Sequence, residues 1–409
     1  MNKEEFVNCV KSFNKFGTTT RLTNFKWPTA TSTGITEKAF NEYWTSAQRQ
    51  SHSLHEISYR ACFKAQLPEF FISRLCDPGD AVYDPFMGRG TTPLEAYLHG
   101  CKPLGNDINP LSVALLAPRL NPPSLQEIIT RLATIDLSAA EEKFPQLKVF
   151  FHPQTLTQII SLKEYLLRRE QSGELDGVDQ WIRMVAINRL TGHSPGFFSV
   201  YSLPPNQAVS IDAQAKINQT RRQSPDAKDI VPRIINRSKS LLKNWSETQF
   251  NNQNNSLSPM LAIGPADNAK GIESNSAQLV VTSPPFLDVV DYRTDNWMRC
   301  WFLGIDSSTI KISSYKNAEE WQDFIAEVFV DLYRIVRPGG YVAFEVGEVR
   351  NGKLLLEELV LPVGVEAGFQ PVIIMINVQE FTKTANTWGV DNQKNGTNTN
   401  RIVVFQKGP

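Results

Sequence analysis

The sequence predicts an open α/β sheet laid down in two blocks and split by a long, mostly helical insertion. Three observations predict it. Short apolar runs alternate with helical patterns over residues 52–120 and again after 260, the alternation of parallel strands with helices on the sheet faces. Between the blocks, residues 121–258 read as helical stretches separated by polar loops. Each block also holds a buried strand that runs abruptly into a turn rich in Gly or Pro.

Residues 1–50 are polar and mixed and carry no legible chemistry. Ala81-Val82-Tyr83 reads as a short buried strand that enters the loop Asp84-Pro85-Phe86-Met87-Gly88-Arg89-Gly90-Thr91-Thr92. A helix is expected to open at Thr92 as its cap, with Pro93 at the first helical position and Glu95 completing a capping box. Lys102 to Asn106 is the next strand, ending at Asp107, and Asn109-Pro110 opens another helix. Within the insertion the loops are Gly192-His193-Ser194-Pro195-Gly196 and Leu203-Pro204-Pro205-Asn206-Gln207, and the Asn-rich run Asn251 to Ser258 reads as a linker.

The strand Gln278 to Val281 is cut off by Thr282-Ser283-Pro284-Pro285-Phe286. Asn317 to Val336 is a strongly amphipathic helix, its Trp321, Phe324, Ile325, Val328, Phe329, Leu332, Ile335 and Val336 at core spacing and Asn317 with Glu320 as a capping pair. Arg337-Pro338-Gly339-Gly340 stops it. Strands Tyr341 to Val346, Val372 to Val378 and Ile402 to Gln406 follow. The expected organisation is an N-terminal segment 1–50, a first catalytic part 51–120, an insertion 121–258 and a second catalytic part 259–409.

With 409 residues, 41% hydrophobic and 21% charged, the composition is that of an ordinary soluble globular protein, without a run long enough to span a bilayer. Met1-Asn2-Lys3-Glu4-Glu5 lacks the apolar core of a signal peptide. Five cysteines at no metal-ligand spacing fit reduced thiols and no metal site. The 42 basic and 42 acidic residues balance, but locally Lys216, Arg221, Arg222, Lys228, Arg233, Arg237, Lys239 and Lys243 face only Asp226 and Asp229. That stretch reads either as a solvated helical face or as a phosphate-tracking surface, with Arg221, Arg222, Arg233, Arg237, Lys239 and Lys243 the candidate contacts.

Ligands of open α/β sheets bind beyond the carboxyl ends of the strands, where the Asp84–Thr92 loop sits. Gly88 and Gly90 let the backbone approach a ligand, and Asp107, closing the next strand, is placed to accept ribose hydroxyls. Glycines followed by an acid fit a dinucleotide site nearly as well. After the second strand, the paired prolines at 284 and 285 fix φ and remove two donors, making a rigid corner with outward acceptors.

Asp-Pro-Phe-x-Gly-x-Gly-Thr-Thr at 84–92 and Ser-Pro-Pro-Phe at 283–286 together resemble the motifs of amino-methylating DNA methyltransferases. The first is similar to their cofactor loop; the second is similar to the Ser-Pro-Pro-Tyr or Ser-Pro-Pro-Phe target motif of cytosine-N4 enzymes, where adenine-N6 enzymes more often begin with Asp or Asn. The resemblance covers roughly residues 52–120 and 260–409, with the cofactor motif first, an order found in only some of these enzymes.

The resemblance implies a class I S-adenosylmethionine-dependent methyltransferase (Rossmann-like) sheet. It implies S-adenosylmethionine held by Lys64 (within Phe63 to Pro68), Asp84, Pro85, Phe86, Gly88, Gly90, Thr91, Asp107, Ile108 and Asp267, Asp84 pairing with the methionine ammonium and Asp267 reading the adenine amino group. Ser283, Pro284, Pro285 and Phe286 form the catalytic corner: the Ser283 hydroxyl and the Pro284 carbonyl accept the two N–H protons of an exocyclic amine, and Phe286 stacks on the base. Asp288, Asp291, Tyr292 and Arg293 hold that loop; Trp388, within 384–389, and the segment 396–401 flank the pocket.

The partner so implied is double-stranded DNA, with the target base rotated out of the helix and the insertion as recognition region, where His193, Tyr201, Asn206 and Gln207 are candidates for base edges. A cognate restriction endonuclease encoded nearby and a prokaryotic, nucleoid-associated cytoplasmic location go with it. No cysteine follows a proline, which disfavours cytosine-C5 chemistry. An adenine-N6 enzyme, an RNA methyltransferase on the same core and a DNA-binding protein without catalysis are the alternatives.

Overall fold

The structure is a computed structural model and describes residues 1–29, 32–45, 52–60, 62–139, 143–204, 208–245, 257–285, 292–311, 315, 317–349, 354–378 and 399–409. Eleven strands lie among the described residues: β1 Arg21–Pro28, β2 Thr33–Asn41, β3 Ala81–Asp84, β4 Lys102–Asp107, β5 Met260–Ile263, β6 Ala277–Thr282, β7 Val336–Val346, the short pair β8 Glu348–Val349 and β9 Leu354–Leu355, β10 Gln370–Val378 and β11 Thr399–Gln406.

Nine of them form one sheet in the order β1-β2-β10-β11-β7-β6-β3-β4-β5. From β5 through β4, β3 and β6 to β7 every pairing is parallel. β11 then runs antiparallel between β7 and β10. The chain moves outward from β3 to β5 and returns on the other side of β3 with β6, so the winding reverses between β3 and β6. This is the class I methyltransferase arrangement, and the reversal opens a crevice at the carboxyl ends of those two strands. The central strands are buried on both faces, which is why β6 and β7 read as continuous apolar runs.

The insertion supplies helices Leu125–Thr134, Pro153–Gln171, Gly177–Ile187, Ile211–Arg221 and Ile230–Leu241. Trp181 is fully buried at its centre and donates from its indole to the Ser238 hydroxyl at 3.0 Å. The same apolar cluster takes in Leu111, Leu115 and Leu116 of the helix after β4 and Leu54, Ile57 and Tyr59 of the segment before β3. One core therefore binds the insertion to the first block.

Three local expectations change. Helix Thr91–Leu98 begins two residues early, on Gly90 in the left-handed region (φ 78°), so Thr92 is not the cap. Thr92 instead donates to the Val281 carbonyl at 2.9 Å and ties the helix to β6. Glu95 closes no capping box; it lies buried against His55 Nε2 at 2.6 Å, away from the first-turn amides. Helix Ala318–Ile335 is capped by Asn317, which accepts from the amide of Glu319; no capping box with Glu320 forms. The N-terminal segment, read as featureless, contributes β1 and β2, and β2 joins the sheet parallel to β10.

Candidate active site

The crevice at the switch point opens into a cavity of about 490 Å³. Its walls come from six places. The loop after β3 gives Asp84, Pro85, Phe86, Met87, Gly88 and Thr91; the end of β4 gives Asp107, Ile108 and Asn109. Pro265, Ala266 and Asp267 follow β5, and Ser283 and Pro285 follow β6. Tyr59, Cys62 and Phe63 close one side, while Lys311, Tyr315 and Glu320, Asp323, Phe324 and Glu327 of helix Ala318–Ile335 close another.

The loop after β3 and the end of β4 are joined by backbone amides that donate to one side-chain carboxylate. Gly88 N–H donates to Asp107 Oδ2 at 2.8 Å and Asn109 N–H donates to Oδ1 at 2.8 Å, so the acid at the end of β4 holds the glycine loop after β3. Burial pushes the Asp107 carboxyl above its ordinary value, and these two bonds work against that rise. Asn106, fully buried, donates to the Gly264 carbonyl at 2.9 Å and so sets the turn that presents Asp267. Asp267 Oδ1 is buried and without a hydrogen-bond partner among the described residues.

Asp84 is buried at the floor. Its Oδ1 accepts from the Thr282 hydroxyl at 2.6 Å and from Phe86 N–H at 3.0 Å. Burial raises its pKa to about 7, with those hydrogen bonds opposing. No cationic side chain pairs with it among the described residues.

Several expected residues do not reach the cavity. Lys64 is exposed, and its neighbours Cys62 and Phe63 line the wall instead. Gly90 faces the helix after β4: a Cβ there would meet the Leu116 side chain at 2.7 Å, so its smallness serves packing rather than ligand approach. Gly88 does line the cavity, where a Cβ would stand 3.4 Å from the Tyr59 ring. Pro284 is buried behind the wall, and the Pro285 carbonyl accepts from the Trp321 indole at 2.9 Å, so the corner is pinned to the long helix. Phe286, Asp288, Asp291, Asn206, Gln207 and residues 379–398, with Trp388, lie outside the described residues.

Phe324 was expected in the core but is only half-buried at its edge. It lines the cavity, stacked on Tyr315 with centroids 5.1 Å apart and edge-on to Phe86 at 6.1 Å. Glu320, expected in a capping pair, and Asp323 and Glu327, to which the sequence assigned no role, line the cavity with it. A helical stripe facing a cavity has the same spacing as one facing water, so only the neighbouring elements distinguish them.

The candidate DNA contacts separate into two kinds. Arg221, Arg222, Lys239 and Lys243 are exposed, Arg221 lying 3.8 Å over the Tyr201 ring. Arg233 donates to the Pro195 and Asp229 carbonyls, and Arg237 pairs with Glu56 at 3.4 Å. The basic stretch is thus not one continuous free surface.

A family model described as DNA methylase, for amino N6 and N4 enzymes, matches residues 3–117. The N-terminal part of the chain is thus similar to the amino-methylating DNA methylases. Among similar proteins, the type II methyltransferase M.BsoBI of Geobacillus stearothermophilus is 22% identical over 67% of this chain and 57% of its own length. M.MjaII of Methanocaldococcus jannaschii is 34% identical over 19% of this chain and 14% of its own. The alignments therefore reach little more than half of the longer-matched relative. Among solved structures, a SAM-dependent methyltransferase of Methanosarcina mazei aligns over 83% of this chain and 97% of its own at 10% identity and a TM-score of 0.32. No helix among the described residues is long and apolar enough to cross a membrane.

Proposed function

We propose that this chain transfers a methyl group from S-adenosylmethionine to an exocyclic amino group of a base in double-stranded DNA, and that the atom is N4 of cytosine. The observation that carries the reading is that Gly88 and Ser283, ends of two separate sequence motifs, line one cavity at the switch point of the sheet.

The residues present suit this cofactor. Asp84 is a buried carboxyl without a cationic partner, suited to the methionine ammonium, and the orphaned Asp267 Oδ1 suits an amino group of adenine. Asp107, already accepting two amides, keeps lone pairs for ribose hydroxyls. Phe86, Phe324 and Tyr315 give an aromatic wall. When bound, the cofactor supplies an electrophilic methyl on a sulfonium.

The chain's own contribution is positioning. An exocyclic amine is a poor nucleophile because its lone pair is delocalised into the ring. A Ser283 hydroxyl that accepts one of its N–H groups favours a tetrahedral nitrogen with the lone pair directed at the methyl, and in-line geometry supplies much of the rate. Serine at position 283, rather than Asp or Asn, favours cytosine. Rotating the base out of duplex DNA costs a few kcal/mol. Phosphate contacts from the exposed lysines and arginines of the insertion would offset that. A cognate restriction endonuclease is the companion that would give such a mark a protective role.

The test is to incubate the protein and S-adenosylmethionine with DNA from a host lacking DNA methylation, then map modified bases by sequencing. N4-methylcytosine at a fixed sequence is expected. N6-methyladenine would overturn the choice of base, and unmodified DNA would overturn the activity.

A further inference from the structure

We infer that Arg89 is a positioning residue for cofactor binding: its guanidinium fastens the segment that carries Tyr59, Cys62 and Phe63 to the glycine loop, and so holds one wall of the cavity in place around the ligand. The inference rests on the reading of that cavity as an S-adenosylmethionine site. It adds a residue that stands between Gly88 and Gly90, at a position the cofactor motif leaves open.

Arg89 does not line the cavity itself. Its Nη1 donates to the Ile57 carbonyl at 3.0 Å and the His55 carbonyl at 3.4 Å, its Nη2 to the Phe63 carbonyl at 3.3 Å and its Nε to the Thr91 hydroxyl at 3.1 Å. Those are its acceptors among the described residues, and none is a carboxylate. Ile57 and Phe63 bracket Tyr59 and Cys62, so the three carbonyls fix the wall from both sides. Tyr59 in turn lies over Gly88, the glycine whose amide Asp107 holds. Two further arginines serve the same segment. Arg119, fully buried on the helix after β4, donates to the Leu54 carbonyl at 3.1 Å and to the carbonyl of Arg89. Arg299, on helix Trp297–Phe302, donates to the Ser58 carbonyl at 3.0 Å.

Residues 56–60 lie in neither helix nor strand, so the carbonyls of this segment must find donors elsewhere. A guanidinium carries five donors in a rigid planar fork, which lets one side chain hold carbonyls of several residues at once. Its charge makes each bond stronger than a neutral donor would. Without Arg89 the wall is free to leave the loop, and a ligand must then order it on binding, which lowers the affinity. Arg119 cannot take over, because it reaches the segment only at Leu54, before the wall begins. Arg299 holds Ser58 from the side of the target corner and makes no link to the glycine loop among the described residues.

The experiment measures S-adenosylmethionine affinity by calorimetry for wild type, Arg89→Ala and Arg89→Lys, with and without methylguanidinium at a concentration that leaves the wild type folded. Arg89→Ala should weaken binding about 10- to 100-fold, the loss expected for a charged hydrogen bond. Methylguanidinium should restore most of that loss in Arg89→Ala and leave the wild type unchanged. Arg89→Lys keeps the charge as a point on a flexible stem and should fall between the two. Alkylation by iodoacetamide, located by mass spectrometry, separates a loosened wall from a loosened fold. Cys62, in the wall, should react several-fold faster in Arg89→Ala, and Cys101, buried at the far end of β4 from Asp107, should not. Wild-type affinity in a folded Arg89→Ala overturns the inference, and so does an equal rise in alkylation at both cysteines. Should Arg89→Ala not fold, Arg89→Lys decides: an affinity equal to that of the wild type overturns it. A wild type that binds no S-adenosylmethionine would instead sink the underlying reading of the cavity.

Discussion

The Thr282 hydroxyl donates to Asp84 Oδ1 at 2.6 Å, joining the ends of β6 and β3 across the point where the winding reverses. Both residues are buried, so the bond is made where water cannot replace it. The isosteric change Thr282→Val leaves Asp84 buried with one acceptor bond fewer. Above pH 7 the loss should be roughly 1.5–3 kcal/mol, the range for a hydrogen bond to a charged group, and near pH 5 it should be smaller because the acid is then neutral. Urea unfolding at pH 8 and pH 5 tests this; equal losses at the two values would remove Asp84 from the account.

Asp84 also links cofactor binding to pH. Its folded pKa, about 7, lies above the ordinary 3.8 of an aspartate, so the folded protein without ligand holds a proton that the unfolded chain has lost. Stability should therefore fall as pH rises from about 4 to about 7, and Asp84→Asn should abolish that part of the slope. A ligand cation beside Asp84 favours the ionised form. S-adenosylmethionine should then bind more tightly as pH rises from 5 to 8 and release up to one proton near pH 6. Calorimetry in buffers of different ionisation enthalpy reads the proton directly. Binding without proton release would separate Asp84 from the ammonium.

Much of this site was legible because its chemistry lies at strand ends that announce themselves. Asp84, Asp107 and Ser283 each follow a short apolar run, and the parallel sheet brings such ends together whatever lies between them. What was illegible has physical reasons. β2 buries Thr36, Lys38 and Asn41, so its polar composition concealed a strand; Lys38 is tolerated because Glu357 and Glu358 pair with it. Glu345 sits inside an apolar run whose neighbours gave no sign of a polar partner, since Asn400 is 55 residues away and meets it only through the β7–β11 pairing. Gly90 looked like a ligand-approach glycine because the sequence says nothing of Leu116 lying across it.

That contact yields a prediction confined to stability. Gly90 has φ 78°, and a Cβ would meet three Leu116 side-chain atoms within 2.9 Å. Gly90→Ala thus combines a left-handed backbone with overpacking, each costing about 1–3 kcal/mol. Adding Leu116→Ala relieves the clash but not the backbone strain, so the double variant should be more stable than the sum of the single effects allows. Thermal unfolding of the four proteins in the cycle measures the coupling. Additive losses would mean that Leu116 does not confine the glycine.

The insertion offers the last test, because its cations are not equivalent. Lys239 and Lys243 are exposed beside a shallow groove formed with Pro123, Leu125 and the half-buried Trp245. Arg237 is partly buried, and burial lowers its pKa while Glu56 works the other way. A phosphate can displace water from the two lysines at little cost, whereas drawing Arg237 outward means breaking its link to Glu56. If DNA tracks this face, replacing Lys239 and Lys243 by alanine should weaken binding by a similar factor for every sequence. It should also reduce the slope of log K against log salt by about 2, because two fewer phosphates are neutralised. Arg237→Ala should leave that slope unchanged. Fluorescence anisotropy over a salt series distinguishes the two variants, and an unaltered slope in the double lysine variant would place the DNA on another face.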